Sequence, residues 1–150
     1  MRFELKKTGK ESFGNRTFII PALEEARRPQ GLATLKIDHL GGSDIYADDI
    51  FSHGNVTGDR EFLRQFHTSP ARWLLLHAVK DHGSEQGGCI FTYAALTSEG
   101  KRMTAKLLSQ EFFETRGTNF FVSPEKVKII KQIDLANPKK EQISALFKRR

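Results

Sequence analysis

The sequence has 150 residues, the length of one ordinary domain, so two full domains are not expected. Apolar residues make up 38% and charged residues 28%, and 12 Phe supply enough apolar surface to exclude a globally disordered chain. The single cysteine, Cys89, excludes an intrachain disulfide, and no apolar run approaches the ~18 residues of a membrane span. The first residues lack the apolar stretch of a secretory signal. We therefore expect one domain over 1–150, located in the cytoplasm and not bound to a membrane.

In the first half of the sequence, strands are predicted where apolar and β-branched residues alternate with polar ones or run up to a proline. These segments lie around Phe3 and Leu5, over 17–20 and over 32–40. A short helix is predicted over 22–28, because Pro29 would end it. The segment from Asp44 to Asp59 is rich in Gly, Asn, Asp and Ser, and this composition predicts a loop.

The second half predicts mainly helices, and three of them begin with a capping residue followed by proline. The pairs are Ser69-Pro70, Ser123-Pro124 and Asn137-Pro138. Two further helices are predicted over 59–66 and from 98 to about 115, with strands over 89–93 and 119–122. The apolar helix faces place four residues in the core: Trp73, Leu76, Leu107 and Phe112.

This order of elements predicts an α+β fold. A small mixed or antiparallel sheet from the N-terminal half would pack against helices from the C-terminal half, because each element must bury one apolar face.

Positive charge is concentrated at the two ends of the chain. The formal net charge of +6 divides into +3 for residues 1–30, −3 for 31–67, −1 for 68–100 and +7 for 101–150. Positive charge concentrated in this way attracts polyanions, such as nucleic acid or an acidic protein surface. An ordinary solubilising surface has the same composition, so both interpretations stay open from charge alone.

The basic C-terminal third supplies the candidate nucleic-acid-binding residues. They are Lys126, Lys128, Lys131, Lys139, Lys140, Lys148, Arg149 and Arg150. Lys and Arg on such helices can contact phosphates while the apolar faces stay packed, which gives binding that depends on salt and little on sequence.

An acidic cluster in the predicted loop supplies an alternative site. It consists of Asp44, Asp48, Asp49, His53 and Asp59. Carboxylates and an imidazole on an irregular segment can hold a divalent metal, which would make the chain a metal-dependent hydrolase or nuclease. The spacing does not match an EF-hand loop, and Asp is common in turns, so a solvated acidic loop is the competing interpretation.

The sequence contains no zinc-binding spacing of His and Cys, no GxSxG motif and no phosphate-binding GxxxxGK[ST] loop. Catalytic residues are therefore unknown, and we expect no cofactor and no catalysis. The leading hypothesis is a small basic protein that binds DNA or RNA in an accessory or regulatory role. A protein-interaction module for an acidic partner is a further alternative.

Overall fold

The computed structural model describes residues 3, 5–8, 15–19, 32–38, 44–52, 54, 56–93, 114–116 and 119–147. The described strands are β1 (Lys6–Thr8), β2 (Asn15–Ile19), β3 (Ala33–Asp38), β4 (Asp44–Ser52), β5 (Cys89–Tyr93), β6 (Glu114–Arg116) and β7 (Asn119–Val122). The described helices are α1 (Val56–Phe66), α2 (Pro70–His82), α3 (Pro124–Gln132) and α4 (Lys140–Leu146).

The seven described strands form one mixed sheet in the order β1-β2-β3-β4-β5-β7-β6. All neighbours in this order are antiparallel except β4 and β5, which run parallel. A parallel pair needs a long crossover, and here α1 and α2 provide it between the two strands. The α+β class and the mixed sheet are as predicted, and the second half of the chain also contributes β5, β6 and β7.

The segment predicted as a loop over 44–59 contains β4 and the beginning of α1, so that prediction was wrong. β4 pairs with β3 on one side and with β5 on the other. Pairing on both sides outweighs the low strand propensity of Asp, since tertiary context decides the conformation of weakly predicted strands. α1 begins at Val56, three residues before the predicted start.

Two further segments differ from the prediction or lie outside the described residues. The last residues of the helix predicted from 98 to about 115 belong instead to β6, a strand over Glu114–Arg116. Residues 94–113, which include Leu107 and Phe112, lie outside the described part, as do the residues of the helix predicted over 22–28.

The Ser-Pro pairs begin helices as predicted. The backbone N–H of Arg72 donates to Ser69 Oγ at 3.3 Å, and that of Lys126 donates to Ser123 Oγ at the same distance. Each serine therefore satisfies one N–H of the first turn, which has no partner inside the helix.

The third predicted helix start, Asn137-Pro138, was wrong by two residues. α4 begins at Lys140, and the N–H of Lys139 donates to Gln142 Oε1 at 3.1 Å. The N–H of Asn137 instead donates to the carbonyl of Asp134 at 3.0 Å. Asn137 thus belongs to the preceding turn, which delays the start of the helix.

The core is centred on α2, which packs against α1, α3 and the middle of the sheet. Trp73 is 3% exposed and Leu76 is fully buried, which confirms both predictions. The ring of Trp73 contacts Phe62 and Phe66 of α1, with centroid distances of 5.3 and 5.2 Å. Trp73 Nε1 also donates to the carbonyl of Leu135 at 2.8 Å, so α2 holds the segment between α3 and α4 in place.

Candidate functional site

Four of the predicted basic residues lie on α3 or at the start of α4, and we refer to this set as the lysine surface. It consists of Lys128, Lys131, Lys139 and Lys140. Lys131 is half-buried and the other three are exposed. The apolar residues of this part of the chain are buried in the core: Val127, Ile130, Ile133, Ile143 and Leu146. The packed faces therefore hold the helices while the lysines remain accessible to solvent.

Two of these lysines lie where a helix does not favour positive charge. Lys139 precedes α4 and Lys140 is its first residue, so both lie at the positive end of the helix dipole. Between α3 and α4, Lys80 Nζ of α2 donates to the carbonyl of Ile133, close to the C-terminal end of α3. The charge of Lys80 therefore lies at the negative end of the α3 dipole, which stabilises it. The dipole of α4 does not stabilise Lys139 and Lys140 in this way.

The remaining predicted basic residues do not belong to this set. Lys126 is half-buried and lies about 160° around α3 from Lys128, because each residue turns the helix by about 100°. The predicted residues Lys148, Arg149 and Arg150 lie outside the described part of the chain. The preceding residue, Phe147, places its ring 5.1 Å from the guanidinium carbon of Arg72.

The acidic candidates are spread along β4 and α1. In the strand register, Asp44 lies opposite Ile90 and Asp49 opposite Lys36, while Asp48 is the extra residue of a bulge. A strand advances roughly 3.3 Å per residue, so Asp44 and Asp49 are roughly 17 Å apart along β4. Among the described residues, no group of three or more His, Cys, Asp or Glu could hold a metal ion. His53 lies outside the described residues.

Asp59, the last acidic candidate, lies in the first turn of α1. Burial raises the pKa of its carboxyl group above the ordinary value, and Oδ1 is buried without a hydrogen-bond partner. Two residues further along the helix, Glu61 has its pKa lowered to about 2, chiefly by the hydrogen bond from Arg64 and then by that from Gln65. The pKa values of the two carboxyl groups of α1 are thus shifted in opposite directions.

We expect the variant Asp59→Asn to be more stable than the parent at pH 7 and about equally stable near pH 3.5. A raised pKa means that the folded state favours the protonated acid, so the stabilising contribution is present below pH 3.8 and is lost as the pH rises. The gain should stay below about 1 kcal/mol, because the side chain is half-exposed and solvent screens its charge. Urea denaturation of both proteins at the two pH values measures the difference. Equal or lower stability of the variant at pH 7 would contradict the expectation.

The parallel pair β4–β5 lies in the middle of the sheet. Its ladder runs from Asp44 to Ala47, whose partner Tyr93 is the last described residue of β5. β4 continues for five more residues to Ser52 and pairs there with β3. Asp48 is the extra residue of a bulge at the start of this extension, and bulges bend and twist a strand.

α1 begins four residues after the end of β4. The connection includes Gly54, which has a φ of +72°, a left-handed conformation that glycine adopts without a steric penalty. The positive end of the dipole of α1 therefore follows the carboxyl end of β4. Sequence reasoning missed this arrangement because it assigned 44–59 to a loop.

Comparisons with known proteins found no relative. No protein-family model, no curated protein and no solved structure matches the chain. None of the described helices is long and apolar enough to cross a lipid bilayer.

Proposed function

We propose that this protein binds nucleic acid through the lysine surface and acts as an accessory or regulatory factor without catalysis of its own. The observation that carries the proposal is the exposure of Lys128, Lys139 and Lys140 on helices whose apolar faces are fixed in the core. Rigid helices place cations at constant positions, so that several phosphates can be contacted without ordering a flexible segment. The +7 charge of residues 101–150 supports the same proposal.

Contacts of this kind position a protein on the phosphate backbone and do not read bases. The described lysine surface has no aromatic side chain on which a base could stack, so no preference for single strands is expected from it. We therefore propose binding to duplex DNA and RNA with little sequence preference.

The double variant Lys139→Ala, Lys140→Ala tests this proposal. If both lysines bind phosphates, the log–log slope of affinity against salt should become shallower by about 1.8 on duplex DNA, about 0.9 for each phosphate that is no longer neutralised. All sequences should be weakened alike. The measurement is fluorescence anisotropy of random duplex DNA and single-stranded RNA at several salt concentrations.

The matched control is the double variant Arg60→Ala, Arg64→Ala, which removes the same charge from α1. Both arginines are exposed and lie outside the lysine surface. The control should retain the slope of the parent, which separates local phosphate binding from the effect of net charge. A parent that binds neither nucleic acid at low salt would overturn the proposal, and a pull-down with an acidic protein partner would then test the interaction-module alternative.

A further inference from the structure

We draw no further inference here: the strongest candidate, the exposed apolar patch of α1 formed by Val56 and Leu63 beside Arg60, carries nothing because no feature of the described residues shows what covers it.

Discussion

Replacing Trp73 by Ala should lower the free energy of unfolding by about 3–5 kcal/mol, the usual cost of removing a large buried aromatic side chain. Trp73 is 3% exposed and its ring contacts Phe62 and Phe66, so the truncation leaves a cavity between α1 and α2. It also removes the hydrogen bond from Nε1 to the buried carbonyl of Leu135. A destabilisation of this size approaches the whole stability of a small domain.

Two further variants separate the contributions of Trp73 and keep the test informative if the Ala variant fails to fold. Trp73→Phe retains most of the ring but removes the donor to Leu135, so it should cost about 1–3 kcal/mol, the penalty of an unsatisfied buried carbonyl. Leu63→Ala, on the exposed face of α1, should change stability by less than about 0.5 kcal/mol. Urea denaturation of the three proteins gives these values. A cost below about 1 kcal/mol for Trp73→Ala would mean that α2 does not pack as described.

The elements that sequence reasoning predicted well depend on local chemistry. Ser69-Pro70 and Ser123-Pro124 begin helices because a side-chain oxygen and a missing N–H act within one turn, whatever the rest of the fold does. The burial of Trp73 followed from the apolar face of α2, the helix that begins after Ser69. The start of α4 was misplaced because the turn ending at Asn137 uses its N–H for the carbonyl of Asp134.

β4 was missed because its strand conformation comes from partners distant in sequence. Asp44, Asp48 and Asp49 are poor strand formers, and only pairing with β3 and β5 makes the segment extended. The apolar residues Ile45, Ile50 and Phe51 were a signal of a strand. With that strand recognised, the two helices before Cys89 would have indicated a crossover to a parallel neighbour.

The lysine surface was predictable only in part. Exposure of Lys128, Lys139 and Lys140 followed from the periodicity of the buried residues beside them. Sequence position could not show that Lys126 is half-buried on another side of α3, because that depends on which elements pack around the helix. The composition of the last fifty residues therefore indicated a basic region, and the packing of α3 and α4 decides which of its described lysines are exposed.

Among Gly54, Gly83, Gly87 and Gly88, a change to Ala should be most damaging at Gly88, with a destabilisation of about 2–5 kcal/mol. Gly88 has a φ of +83°, a left-handed conformation that costs about 1–2 kcal/mol for an alanine. An added Cβ would also lie 2.5 Å from the carbonyl oxygen of Val122 and 2.9 Å from the ring of Phe121. Backbone atoms of β7 would have to move, which adds about 1–3 kcal/mol for an overpacked site.

Gly54 and Gly87 supply matched controls for the two effects at Gly88. Gly54 has a φ of +72° with no atom within 4 Å of an added Cβ, so Gly54→Ala should show the conformational cost alone. An alanine at Gly87 would meet only ordinary contacts, the nearest at 3.8 Å from Ser84, and should be close to neutral. Because Gly88 directly precedes β5, a shift there would also disturb the parallel pairing with β4. Urea denaturation of the three variants measures these differences, and equal stability of Gly88→Ala and Gly87→Ala would show that β5 and β7 do not approach as described.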